Sequence, residues 1–247
     1  MLLPVVTAVI SVLVWWIAAE ARYFPPSSFP SPPAVWLGFV SEVQTGRLTR
    51  NLIASFYRVG VGFLLAVVLS LPIGLLMGQN ERLRAALLPS VNFFRALSPL
   101  AWIPFAVLWF GIGDAPAIFL IFMASFFPLS LAVLAAVANI PAVYYQVAQD
   151  YQLTGARLLF EVTIPAIMPQ YITSLRVAAG VAWMVVVAAE MLAGKDGLGF
   201  AVWDSRNGLR TDLLVCQMFV IGAMGVALDR ALVQLTRLPS VRWGYER

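Results

Sequence analysis

QVAQDYQLTGARLLFE, residues 146–161, followed by VTIPAIMP, residues 162–169, is one polar interruption in a chain otherwise built for a membrane. It lies between an apolar stretch that ends near Ala138 and another that begins near Ile167. A mostly helical polar segment between two membrane-length runs offers a handle to a water-soluble partner. The chain therefore reads as one part of an assembly.

Composition supports the membrane reading. Of 247 residues, 61% are hydrophobic and 11% charged, with mean hydropathy +0.87. A soluble domain carries about 25% charged residues. Less than half that charge cannot coat a globular surface, so lipid must cover part of it. The fold class expected is all-α, a polytopic membrane protein with about six transmembrane helices in a single domain, 1–247.

The residues present also exclude chemistries. There is no histidine and one cysteine, Cys216, so a His-based zinc site, a Cys/His nucleophile pair and an internal disulfide are ruled out. Cys216 lies in an apolar run and reads as a small buried hydrophobe. No G-x-x-x-x-G-K-[ST] loop occurs, so ATP is not bound in that manner. Nor is there an acidic or cysteine cluster for a membrane hydrolase. The net charge of +4 comes almost wholly from arginines. In such a chain that reflects interfacial anchoring rather than nucleic-acid binding.

A helix needs about 20 apolar residues to cross the hydrocarbon core. Six segments qualify: 2–20, 51–77, 87–110, 115–138, 167–192 and 212–235. The first lacks a basic n-region and is expected to be a span rather than a cleaved leader. FPPSSFPSPP, residues 24–33, is a loop because proline removes donors and favours turns. Residues 34–43 suit a short interfacial helix with Trp36 as anchor. Residues 78–84 and 111–114 are expected as polar turns, and 194–210 as a longer turn-rich connection. Pro72, Gly74, Pro89, Pro99, Pro104, Pro116 and Pro128 fall in the spans. They mark either packing kinks or breaks beside a water-filled cavity.

Counting basic residues does not orient the chain. With the N-terminus inside, Arg82, Arg84, Arg157, Arg237, Arg242 and Arg247 lie within, against Arg22, Arg47, Arg50, Lys195, Arg206 and Arg210 outside. An even split is silent under the positive-inside rule.

Charges inside spans are costly and usually face protein or water. Arg58, Arg95, Arg176 and Glu190 qualify, with Asp229 and Arg230 nearer the end of the sixth segment. An arginine facing a wet path can hold a small oxyanion through paired N–H donors. Equally, Arg58 and Arg95 can snorkel to opposite faces. Arg176 and Glu190 are about 21 Å apart along one helix and can pair only with other spans. Trp102 and Trp183 are further candidates for the path, or for packing. Gly60-Val61-Gly62 and Ala178-Ala179-Gly180 suit close helix approach, within or between protomers.

The polar segment resembles the cytoplasmic loop of permease subunits of bacterial ABC importers, whose pattern is E-A-A, three residues, G, nine residues, I, one residue, L-P. Aligned on Pro165, the chain reads Gln146-Val147-Ala148, then Gln152, Val162 and Ile164-Pro165. Gln146 replaces the acidic residue and Gln152 the glycine; Gly155 is expected to supply the turn instead. Residues 51–78, 95–122 and 174–207 are similar to the nitrate, sulfonate, taurine and bicarbonate subgroup, and the likeness runs from about Ser28 to Arg242.

The resemblance implies the type I importer permease fold and no catalytic residues. It implies two partner ATPases carrying ATP and Mg, a second permease copy in a homodimer, and an extracytoplasmic substrate-binding protein. It also implies a bacterial inner-membrane location, with both termini and a coupling segment at about 139–166 in the cytoplasm. Coupling then falls to Gln146, Val147, Ala148, Asp150, Tyr151, Gln152, Gly155 and Pro165. Val147, Tyr151, Leu158 and Phe160 would enter a partner groove, with Gln149, Arg157 and Glu161 on its rim. Arg58, Arg95, Trp102, Arg176, Trp183 and Glu190 are the candidates for the anion path. The readings left open are a same-fold permease for another solute, such as an amino acid, and an ATP-independent secondary transporter.

Overall fold

The computed structural model describes residues 2–21, 23, 25 and 27–234; the expected end of the sixth segment at Leu235, the basic residues Arg237, Arg242 and Arg247, and Arg22, Phe24 and Pro26 of the Pro-rich loop lie outside them. The described residues form helices joined by short turns, and there is no strand among them. The helices are α1 (Leu2–Glu20), α2 (Pro32–Gln44), α3 (Arg47–Gln79), α4 (Glu81–Ala96), α5 (Ile103–Phe110), α6 (Asp114–Ala138), α7 (Ala142–Asp150), α8 (Gly155–Leu158), α9 (Ile164–Ala193), α10 (Leu198–Asn207) and α11 (Thr211–Val233).

The bundle centre is α3, α6 and α9. Glycines let α3 and α6 approach closely. A Cβ on Gly62 would lie 2.8 Å from the Ile118 carbonyl, and one on Gly78 would lie 2.8 Å from Val137. Gly74 sits directly against Val133. In lipid there is no hydrophobic drive between helices, so such close packing does the holding. Gly62 thus packs within the chain, while Gly60 and Gly180 face open space. Helix α9 runs antiparallel to this pair, with the Tyr171 hydroxyl 3.2 Å from the Val67 carbonyl of α3.

Where about six spans were expected, four helical units among the described residues are long and apolar enough to cross a membrane, Arg47–Gln79, Asp114–Ala138, Gly155–Ala193 and Thr211–Val233, and the bent pair Glu81–Ala96 with Pro99–Phe110 makes a fifth if counted as one span. Helix α1 is a shorter apolar helix on the edge of the bundle, tied at Trp15 Nε1 to the Pro30 carbonyl at 3.1 Å. The third expected span needs correction. It is no single helix but α4 and α5, bent by 87° at residues 97–98. Ser98 precedes Pro99 and is extended (φ −61°, ψ 127°), as the residue before proline tends to be. By contrast α3, α6 and α9 run through Pro72, Pro128 and Pro169 without ending.

Two connections differ from expectation. The turn at 78–84 shrinks to Asn80, whose side chain caps α4 by accepting from the Arg82 and Leu83 N–H groups at 3.0 and 3.2 Å; Asn is among the best N-cap residues. Residues 194–210 contain α10, so this connection is largely helical.

Candidate functional site

The polar segment forms one end of the molecule. Helix α7 ends in a Schellman arrangement: Leu153 N–H donates to the Ala148 carbonyl at 2.8 Å and Gln152 N–H to the Gln149 carbonyl at 2.9 Å. That motif needs a left-handed residue just past the helix, usually glycine. Gln152 fills the place with φ +56°. The turn is therefore made at Gln152 itself, which corrects the expectation that Gly155 takes it over; Gly155 (φ +57°) adds a second left-handed residue. Gln152→Gly should remove a left-handed penalty and stabilise the segment by about 0.5–1 kcal/mol. Slower amide exchange at Leu153 would show it, and unchanged exchange would mean that the turn costs nothing.

Beyond this turn, α8 passes through one π turn at Leu159–Thr163 into α9, so Gly155–Ala193 is one helical unit. Pro165 sits in its path without a break. Val147, Tyr151 and Phe160 are 48%, 76% and 66% exposed. Gln146, Asp150 and Pro165 are exposed too, whereas Ala148 is buried against the rest of the chain. Val143, Tyr144, Val147, Tyr151, Leu153 and Val162 are among the residues lining an apolar groove of about 510 Å³.

The opposite end holds a buried ion network. Glu190 of α9 is fully buried. Its carboxylate accepts from Ser55 Oγ at 2.8 and 2.9 Å, from Arg58 Nη1 at 2.8 Å and from Gly199 N–H at 2.9 Å. Arg58 also donates to Asp114 at 2.7 Å and to the Asp196 carbonyl at 2.8 Å, and pairs with the Asp196 carboxylate. The first N–H groups of α10 are capped from outside the helix: Gly197 by Asn51 Oδ1 at 3.2 Å and Leu198 by Ser55 Oγ at 2.9 Å. A carboxylate at a helix N-terminus gains from the helix dipole. Gly197 has φ +104° and lies directly against the Glu190 carboxylate, so no other residue fits there.

Most of the expected path residues are thus engaged. Arg58 does not snorkel outward; it and Glu190 hold each other. Arg176 makes a forked pair with Asp229 of α11 at 3.0–3.3 Å. Trp183 is buried, donates to the Ile221 carbonyl at 3.1 Å and packs on Phe56, which makes it a packing residue between α9 and α11. Arg95 and Trp102 stand apart from these. They line a cavity of about 170 Å³ at the α4–α5 bend, together with Pro99, Pro128 and Val181. Arg95 pairs with no carboxylate among the described residues.

The sequence reading missed Asn51, Ser55, Asp114, Asp196 and the glycines of α10. A signal existed for the first two. Positions 51, 55 and 58 fall on one helix face, a polar stripe within an apolar span.

The fold and these sites define a transport subunit, and comparison places it. The profile of the binding-protein-dependent transport system inner membrane component matches residues 70–237, and the chain belongs to that family of ABC transporter permeases. It is 32% identical to the taurine transport system permease protein TauC of Escherichia coli, covering 95% of this chain and 87% of that one. Identity to the bicarbonate transport system permease protein CmpB of Synechocystis is 32%, covering 96% of this chain and 88% of that one. Identity to the nitrate import permease protein NrtB of the same organism is 30%, covering 95% and 88%. The fold matches a chain of the MetNI methionine ABC transporter in an inward-facing conformation, with TM-score 0.60 and 20% identity over 82% of this chain and 99% of that one. These matches support the type I importer permease fold.

Proposed function

We propose that this chain is the membrane subunit of an ATP-driven importer for a small anion of the nitrate, bicarbonate, cyanate, taurine or alkanesulfonate class. The observation that carries this is the collinear similarity to taurine, bicarbonate and nitrate permeases over 95–96% of the chain. Two copies would form the path, joined to two ATPase subunits that hold ATP and Mg and served by an extracytoplasmic binding protein. The polar segment and both termini would face the cytoplasm of a bacterial cell. ATPase movement would enter through Gln146, Val147, Asp150, Tyr151, Gln152 and Gly155, and would pass up α9 because that helix continues from the segment. Ala148 would shape the segment from within.

The path would run past the α4–α5 bend. A guanidinium there can bind an oxyanion through two N–H groups, and a bend in a span suits a water-lined cavity. The exposed stripe of α9, Val177, Gly180, Val181 and Met184, would form the facing wall. The test is binding-protein-stimulated ATPase activity of the whole complex in nanodiscs, with taurine, nitrate, bicarbonate, cyanate and an alkanesulfonate offered in turn. Stimulation by one anion supports the reading. Solute movement by this chain alone, without ATP, would overturn it.

Gly180→Trp probes the path directly. A Cβ at Gly180 meets nothing within 4 Å, so the new side chain starts into open space rather than into the bundle. Uptake should fall about tenfold or more, since an added barrier of about 1.4 kcal/mol suffices for that. The unfolding midpoint should stay put. Unchanged uptake would mean that this stripe faces lipid.

A further inference from the structure

Several described basic residues lie at the end of the bundle opposite the coupling segment, where the positive-inside rule gives no reason for them. The structure gathers several. Arg47, Arg50, Asn51, Lys195, Asp196 and Phe200, with Asp204, line one cavity of about 430 Å³ beside the N-terminus of α10. The two aspartates in the wall are already engaged: Asp196 by Arg58, and Asp204 by Arg47 at 3.1 Å. Arg47 also lies 3.4 Å from Glu42. Arg50 and Lys195 pair with no carboxylate among the described residues.

Asn51 is a second, independent observation. It is 5% exposed. Its side-chain oxygen accepts from the Gly197 N–H, which leaves its NH₂ group without an acceptor among the described residues. That nitrogen is open to the cavity rather than enclosed by protein, so its N–H groups can meet a ligand or water there. Two unneutralised cations and one unused donor in the wall of a single concavity form a donor set that calls for an acceptor-only ligand.

We infer that Arg50, Lys195 and Asn51 form a binding site for a small oxyanion, at the end of the bundle away from the coupling segment. The inference rests on the proposed function for the side of the membrane it faces and for its role, capture of the anion before it enters the path. The donor set rests on the structure alone. A concavity suits a small ion rather than the face of a protein, and a low-dielectric wall behind the cations strengthens their field.

The test uses the whole permease–ATPase complex in nanodiscs without binding protein, and saturation-transfer NMR with taurine as the probe at fixed ionic strength. Taurine should receive saturation, and nitrate should displace it where gluconate does not. Arg50→Gln combined with Lys195→Gln should weaken binding about tenfold or more, the scale of lost hydrogen bonds to charged donors. Arg50→Lys combined with Lys195→Arg should keep most of it. Both wild-type side chains are exposed, so the double variant should fold, and its unfolding midpoint checks that. Equal signal in wild type and the Gln variant overturns the site. In a separate pull-down with binding protein added, loss of its attachment in the Gln variant while the taurine signal stays intact also overturns the site, because the cavity is then a protein contact. If no anion stimulates the complex yet the signal still depends on Arg50 and Lys195, the site stands and the transport reading fails.

Discussion

Arg58→Met is expected to destabilise the bundle by about 3–5 kcal/mol, the usual cost of stranding one partner of a buried ion pair. Glu190 would keep its bonds from Ser55 and Gly199 but lose the only cation paired with it among the described residues. Asp114 and Asp196 would suffer less, because their side chains are 54% and 43% exposed and water can take over. Adding Glu190→Gln should recover more than half of the loss, since the neutral amide no longer needs a counter-charge. The double-mutant cycle then reads the coupling between the two sites. Reversible unfolding in mixed micelles, followed by tryptophan fluorescence, measures all three variants. If Arg58→Met alone is as stable as wild type within about 0.5 kcal/mol, the typical effect of a neutral surface change, water reaches Glu190 and the network does not hold this end together.

Such a network does more than add stability. It joins α3, α6, α9 and α10 at one point, while Arg176 and Asp229 join α9 to α11 further along. Helix α9 is therefore fixed to its neighbours at its far end and continuous with the polar segment at its near end. A push on residues 146–161 would move α9 as a lever rather than bend it locally.

How far the sequence revealed this depends on the range of each interaction. Runs of apolar residues marked the helices α1, α6 and α11 within a residue or two, and for α6 and α11 the run is long enough to be a span, whereas α1 is only a shorter apolar helix. The bend at residues 97–98 was not legible. Pro72, Pro99 and Pro128 look alike in sequence, yet α3 and α6 continue through theirs. Those two helices are clamped together by Gly74 against Val133, and the clamp tolerates a missing hydrogen bond. Helix α4 also continues through Pro89 with Val91 its one buried residue, so neither proline nor burial alone marks the bend, which falls where Ser98 is extended before Pro99. Helix α10 was hidden by its glycines, whose role lies in touching Glu190 and Val187. Arg58 and Glu190 were recognisable as costly charges, but their partnership spans 132 positions and no local pattern announces it. The shared face of Asn51, Ser55 and Arg58 was readable and was overlooked.

Asp150→Arg combined with Tyr151→Ala is expected to abolish binding-protein stimulation of ATP hydrolysis while leaving the membrane bundle folded. Val147, Tyr151 and Phe160 leave an apolar surface that the protomer does not cover, and exposed apolar groups clustered in this way mark contact sites. A tyrosine anchor at such a contact is commonly worth about 2 kcal/mol or more, about 30-fold in affinity. Reversing the neighbouring charge adds a repulsive or unpaired group. Neither side chain makes a hydrogen bond within the described residues, so the unfolding midpoint should not move. Three readouts separate the possibilities: co-purification of the ATPase subunits, their basal hydrolysis, and its stimulation by liganded binding protein. Loss of stimulation with the bundle intact places the coupling contact at residues 150–151. Wild-type co-purification and stimulation would place it elsewhere, and the apolar groove beside α7 would then be lipid- or solvent-facing surface with no part in the transmission of force.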